Sequence, residues 1–355
     1  MATFLFSDIA SLKAVVGGGA NMSIELSSIE PGLYAAWHAH LKPWVSQAFF
    51  DEVTDALEAD ALTGQQAALL PYLRRPLGML GLYEYARIGS VQFSESGIFR
   101  MEGENYKTAY KYQVTELRRF YLYNGYEAIE HLLGYLEANE ADFPTWADSD
   151  AYSRNKALLL NSAADFRNHY SNDINRYTFE HLRPVLEDID AFAIQPLLGD
   201  EQYQELKANI LAKALSPAES KLLYYLQRAV ANFAVKEAIR RGWVRLEGRT
   251  LVSTEILEPQ GYEHEGAPSG AQVSLAAMRQ DEWANRHLSY ATKYLADNLA
   301  DFPLYSAYLD EIAEEEAEEN QPPSSYPERC PACRCYTWPC DCDNSLDAPT
   351  GIIGF

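Results

Sequence analysis

Ile29-Glu-Pro31-Gly-Leu33 returns 153 residues later as Leu182-Arg-Pro184-Val-Leu186, and this recurrence decides how the chain is read. The same offset carries Leu41-Lys-Pro43-Trp-Val45 onto Ile194-Gln-Pro196-Leu-Leu198, and Phe50-Asp-Glu52-Val53 onto Tyr203-Gln-Glu205-Leu206. It places Leu70, Tyr72, Leu73 and Arg75 on Leu223, Tyr225, Leu226 and Arg228, and Arg87, Gly89 and Val91 on Arg240, Gly242 and Val244. Further along the offset becomes 159, with Leu136-Glu-Ala-Asn139 on Leu295-Ala-Asp-Asn298 and Asp142-Phe-Pro144 on Asp301-Phe-Pro303. One offset held over some sixty residues, with Pro, Gly and Arg in register, is the mark of a tandem duplication. The slip of six residues assigns a longer loop to the second copy, around residues 259–270, which are rich in Gly, Pro and Glu. The copies are expected at 1–150 and 151–310.

Each copy reads as a helical bundle. Ile29, Leu33, Trp37 and Leu41 recur at helical spacing, and Pro43, like Pro196, breaks or kinks the chain after them. Further helices are predicted over 47–59 and from 64, capped by Thr63, to about 88, ending at Gly89. Val91-Gln-Phe-Ser-Glu-Ser-Gly97-Ile-Phe-Arg-Met alternates around a turn, as does Trp243-Val-Arg-Leu-Glu-Gly248-Arg-Thr-Leu-Val, and both predict a short β-hairpin. A long helix comes next in each copy, near 105–139 and 273–299. The fold class is therefore mainly α: two tandem helical-bundle modules, each with a hairpin before its last long helix, and an extended C-terminal tail. That tail divides into an acidic segment and linker at 311–328 and a cysteine-rich segment with an apolar arm at 329–355, where Ile352, Ile353 and Phe355 are candidates for docking on a neighbour.

Composition narrows the function. The formal net charge is -22, from 51 acidic against 29 basic residues. Wrapping nucleic acid or adhering to an anionic membrane needs the opposite sign, although an acidic wall past which DNA slides is compatible with it. The opening residues show no secretory signal, and no apolar run approaches a membrane span. All five cysteines lie between Cys330 and Cys342, unlike a secreted scaffold whose disulfides spread through the fold. A reducing cytoplasm is expected.

Cys330-Pro-Ala-Cys333-Arg-Cys335-Tyr-Thr-Trp-Pro-Cys340-Asp-Cys342 is the most specific candidate site. Four thiolates hold zinc tetrahedrally and Cys-x-x-Cys is a usual half-site. Cys330, Cys333, Cys340 and Cys342 would be the ligands, with Cys335 as the alternative. The second half-site is tighter than usual, so free thiols and a disulfide stay open as readings. Under the zinc reading, elemental analysis finds one zinc per chain, lost with Cys330→Ser and Cys340→Ser; free thiols give none.

Duplication filters the remaining candidates, since a site common to both modules should occur twice. His38 and His40 map onto Ala191 and Ala193, and Glu130 and His131 onto Ser289 and Tyr290, so a metal site on either pair is set aside. Arg167-Asn-His169 lacks the spacing of a helical nuclease motif, and no phosphate loop, nucleophile elbow or His-Glu-x-x-His motif is found. Arg75/Arg228 and Arg87/Arg240 pass the filter, as loop ties through bidentate bonds or as inter-subunit contacts. Tyr106, Tyr110, Tyr112, Phe120, Tyr121, Tyr123 and Tyr126 crowd the first long helix on several faces, as expected of core packing or, since the second copy is less aromatic here, of a helix that meets a surface the second copy's helix does not.

Phe6-Ser-Asp-Ile-Ala-Ser-Leu12, Val91-Gln-Phe-Ser-Glu-Ser-Gly97-Ile, Tyr110-Lys-Tyr-Gln-Val, Tyr121-Leu-Tyr-Asn-Gly-Tyr126, Phe143-Pro-Thr-Trp146 and Arg183-Pro184, with the segments around Pro43 and Pro196, resemble a domain family of unknown function encoded by tailed phages and prophages near portal and capsid genes. The resemblance spans roughly residues 4–310 and excludes the tail. It implies a non-enzymatic virion protein of the neck, assembled in the host cytoplasm: a head–tail connector or adaptor that forms a ring beneath the portal, twelve chains or six, lines an acidic DNA channel without binding DNA specifically, and contacts portal, tail or neck proteins. A tail-completion or minor capsid protein is the alternative. From another class, a cytosolic zinc-binding helical protein or enzyme is the rival.

Overall fold

The computed structural model describes residues 5–17, 25–86, 91–94, 97–100, 110–170, 173–247, 250–253 and 270–319. The cysteine segment, Arg87 and the C-terminal arm with Ile352, Ile353 and Phe355 lie outside these residues.

Among the described residues the chain is mainly helical and is built twice. The first copy runs α1 (Ile9–Val16), α2 (Leu26–Ala36), a π-helical turn (Trp37–Leu41), α3 (Lys42–Val45), α4 (Gln47–Glu58), α5 (Gly64–Tyr85), strands β1 (Val91–Ser94) and β2 (Gly97–Arg100), α6 (Lys111–Ala138), a 3-10 turn (Glu140–Asp142) and α7 (Pro144–Ala147). After α8 (Asp150–Asn155) the second copy runs α9 (Ala163–His169), β3 (Asp173–Ile174), α10 (Arg176–Ile189), a π-helical turn (Asp190–Ile194), α11 (Gln195–Leu198), α12 (Asp200–Leu211), α13 (Pro217–Arg240), β4 (Val244–Glu247), β5 (Thr250–Ser253), α14 (Gly270–Asp297), a 3-10 turn (Leu299–Asp301) and α15 (Pro303–Glu319). The π-turn, α3, α4 and the hairpin strands repeat at the offset of 153, while α6 and its 3-10 turn repeat at 159. The six extra residues therefore enter between β5 and α14.

Local chemistry explains the shared boundaries. Thr63 and Gln66 form a reciprocal capping box at the start of α5, with bonds of 3.0 and 3.1 Å, and Ser216 and Glu219 do the same for α13 at 2.7 and 3.1 Å. Pro43 and Pro196 stand in the first turn of α3 and α11, where a missing N–H leaves no helical bond unmade. The interruption predicted there takes the form of the π-turn just upstream and a positive-φ residue just downstream. That residue is Ser46 (φ 65) in the first copy and Gly199 (φ 77) in the second. Serine takes this conformation in the first copy, so the glycine at 199 is set by packing: a Cβ there would stand 2.5 Å from the Tyr308 ring. Gly32 is the other constrained glycine, since its Cβ would meet the Gly81 carbonyl at 2.6 Å, and this lets α2 cross closely over α5.

The duplication reaches further upstream than its matching residues show. Leu5 and Phe6 are buried in one core and Leu159 and Leu160 in the other, and α1 packs on α5 as α9 packs on α13. Among the described residues strand pairing differs: β1 and β2 form a two-stranded antiparallel pair, whereas β3 joins β5 in parallel to give the order β3-β5-β4. The first core runs from Leu5 through Trp37, Phe49 and Ile129 to Tyr152, and the second from Leu158 through Phe179 and Leu226 to Tyr305. Among the described residues no helix is long and apolar enough to cross a membrane.

Trp37, the first residue of one π-turn, is matched in the other by Asp190, only 3% exposed. Its Oδ2 accepts from the Leu159 N–H at 3.1 Å and the Tyr203 hydroxyl at 3.5 Å, while Oδ1 has no partner. Burial pushes this carboxyl up to about 6. The folded state then holds the proton through a window, from about 4 to about 6, in which the unfolded chain has released it, so stability falls as pH rises across that window, by up to about 3 kcal/mol. Asp190→Asn should remove the slope, stabilising the chain by about 1–3 kcal/mol at pH 8 and by much less at pH 4. Urea unfolding at both pH values measures this, and an equal effect at both would contradict it.

Candidate functional site

The two modules meet where α6 lies against α10, next to the packing of α3 on α8 within the first module, and this seam holds a cluster of buried polar groups. Asn175 caps α10 by accepting the Thr178 N–H at 2.8 Å, so the next residue, Arg176, begins the helix and points into the seam at 1% exposure. Its Nη1 donates to Glu130 Oε2 on α6 at 2.7 Å, its Nη2 donates to Asn155 Oδ1 on α8 at 3.3 Å, and its Nε stands 2.6 Å from Glu180 Oε1. Burial alone would weaken the guanidinium's hold on its proton, but Glu180 and Glu130 outweigh that and raise its pKa above the ordinary value. Glu130 also accepts the Ala164 N–H at 2.8 Å, tying its helix to the amino end of α9.

Trp44 on α3 is the apolar counterpart. Arg176, Arg154 and Arg183 stand 4.7, 5.3 and 5.4 Å from its ring, and its carbonyl accepts the Trp146 indole N–H at 2.9 Å. Arg183 donates to the Arg154 carbonyl and pairs with Glu187 at 3.4 Å. Three cations around one indole are tolerable only because each has a carbonyl or carboxylate within reach or access to water.

A second chain of hydrogen bonds adjoins the first. His40 Nε2 lies 3.1 Å from Glu84 and Nδ1 lies 3.0 Å from the Tyr126 hydroxyl, and Tyr126 packs edge-on against Tyr177 of α10 at 5.0 Å. Burial lowers the pKa of His40, with Glu84 opposing, and raises that of Tyr126. Around the rim, Arg167 reaches Glu127 at 3.9 Å and Lys213 reaches Glu140 at 3.5 Å. Chemically, the arrangement fixes rings and charges across an interface. Of the aromatic residues of α6, Tyr121 and Tyr126 pack on the first core, and Tyr123 and Tyr126 also meet Tyr177 of α10.

Duplication sets His40 and Glu130 aside, yet both serve the seam. The filter misses them because a seam joins unlike faces of the two copies, so its residues need no counterparts. Arg75, which passes the filter, is exposed and lines an open cleft of about 330 Å³ with Tyr72, Asn124, Glu127 and His131. Arg228 is half-buried, its guanidinium 4.5 Å over the Tyr224 ring. Arg240 is exposed and pairs with Glu237 at 3.3 Å. Among the described residues no group of three or more His, Cys, Asp or Glu side chains is placed to hold a metal.

Removing one partner of a buried ion pair strands the other charge. Arg176→Met should cost about 3–5 kcal/mol and split urea unfolding into two transitions as the modules uncouple. Adding Glu130→Gln and Glu180→Gln should recover most of the loss. A single variant that unfolds like the parent would refute the seam's role.

The comparisons with known proteins agree with the duplication. A model of a family of unknown function matches the chain twice, over residues 41–156 and 194–308, roughly two thirds of its length. No curated protein and no solved structure matches.

Proposed function

The chain belongs to that family of unknown function, DUF6712, and from this premise we propose that it is a structural virion protein of a tailed phage: a head–tail connector or adaptor whose copies form a ring beneath the portal. The observation that carries the proposal is the outward surface of the two long helices. In α6, Tyr112, Leu117 and Phe120 are 61, 47 and 51% exposed, and in α14, Leu275, Met278 and Trp283 are 50, 68 and 49% exposed. Large apolar side chains gathered on the same element of both copies mark a contact surface.

Two further features support the reading. The seam joins two modules into one body, which gives a ring subunit that keeps its shape under load. The charge of -22 suits a channel wall for DNA, since it offers phosphates no counterion-releasing contacts and lets the duplex slide. Ring closure needs repeated copies of one contact. Twelve chains give a two-layer ring, and six give a pseudo-twelve-fold ring in which each module takes one place. Portal and tail proteins would sit above and below it.

Negative-stain electron microscopy and native mass measurement of the purified chain test this. A closed ring of twelve or six copies is expected. Phe120→Glu or Trp283→Glu should abolish it while leaving the helical circular dichroism unchanged. A chain that stays monomeric at high concentration would refute the proposal.

A further inference from the structure

Arg75 and Arg228 occupy the same place in the two copies, but only Arg228 sits inside a basic–aromatic cluster. It lies over Tyr224 on α13, and His169, the last residue of α9, packs on the same ring at 6.0 Å. From α14, Arg286 stands 4.7 Å over Trp283, and Trp283 stacks on His287 at 6.3 Å. Lys221 adds a further cation 5.9 Å from Tyr224. Arg228 Nε and the Nδ1 atoms of His169 and His287 have no hydrogen-bond partner, and among the described residues no carboxylate is within ion-pair distance of Arg228, whereas Arg286 pairs with the exposed Glu282 at 3.6 Å. Burial lowers the pKa of both imidazoles, and the Arg228 charge lowers it further.

Such a cluster is out of character for this chain. Acids outnumber bases by 51 to 29, and the buried guanidiniums of Arg176 and Arg183 both have carboxylates. Tyr224, Trp283 and Tyr290 keep their rings 39, 49 and 50% exposed around it. Trp, Tyr and Arg are the residue types that dominate interface energies, and an unpaired guanidinium with an aromatic rim has the chemistry to receive carboxylates on an amphipathic segment.

The chain carries such a segment. Tyr308 anchors α15 to its own module, its hydroxyl donating to the Pro196 carbonyl at 2.8 Å. Beyond it the helix runs on through Asp310, Glu311, Glu314 and Glu315, all exposed, with Leu309 37% exposed and Ile312 half-buried beside them. Among the described residues none of these four carboxylates takes part in an ion pair. Two unlike, charge-complementary surfaces on one chain make a heterologous contact, the kind that generates rings.

We propose that the Arg228 cluster of one copy receives the acidic second half of α15 from a second copy, and that this contact joins neighbours in the assembly. The inference rests on the ring reading above and names the surfaces that would build it.

The test uses the full-length chain. Light scattering follows self-association of the parent, of Arg228→Glu, of the double variant Glu314→Arg/Glu315→Arg, and of the three changes combined. Each reversal should weaken association by about tenfold or more at low salt, the combination should restore it, and added salt should weaken the parent. The α15 changes touch no core side chain, so they report even if Arg228→Glu disturbs the fold. A photo-crosslinker at position 283, in mixed isotope-labelled and unlabelled chains, should capture α15 of another copy. Capture only within one chain, or capture elsewhere, overturns the proposal. A ring that forms equally well with both reversals overturns this contact alone, whereas a parent that never associates overturns the ring reading with it.

Discussion

The tie between Arg176 and the carboxylates of Glu130 and Glu180, laid over the Trp44 ring, is the constraint on which the rest of the molecule depends. Glu180 shares α10 with Arg176, while Glu130 and Trp44 come from the first copy, so the full set is assembled only when both modules are folded and docked. Of the three charges, only Glu130 comes from the first copy, so its bond to Arg176 is the ion pair that joins the modules here. Beyond its long helix the first core is completed by Trp146, whose indole donates to the Trp44 carbonyl, and by Tyr152, packed edge-on against Trp146.

Duplication and asymmetry do different work here. What the copies share is scaffold: capping boxes, a π-turn before a proline, a positive-φ junction and a hairpin ahead of a long helix. What they do not share sits where the environments differ. Trp37 becomes Asp190 at one π-turn, Ser46 becomes Gly199 where Tyr308 must pack, and the first hairpin stays two-stranded while the second gains β3. The same logic separates Arg75, on an open mixed-charge cleft, from Arg228, held among aromatics. Once two copies share one chain, each is free to specialise the face the other does not need, and in a chain this acidic the cations are where that specialisation shows.

Much of this was legible from residue order alone. Period and proline register located the duplication, the hairpin strands and the long helices, because helix signals act over one or two turns and turn signals over four residues. The six-residue slip placed the insertion between the second hairpin and its long helix. Comparing the copies was silent on the seam role of His40 and Glu130, and for a physical reason: their partners, Glu84, Tyr126 and Arg176, lie 44, 86 and 46 residues away. No local pattern encodes such pairings, and comparing one copy with the other cannot reveal a contact made between them.

The amino-acid order by itself determined the helical class, the tandem architecture and the acidic character, since each depends on composition or on interactions within a few residues. Tertiary structure alone decided which charges are buried together, which arginine is left without a carboxylate and which aromatic faces stay exposed. These are properties of surfaces assembled from distant segments, and the seam through Arg176, Glu130 and Trp44 comes into being only when two locally specified modules are pressed against each other.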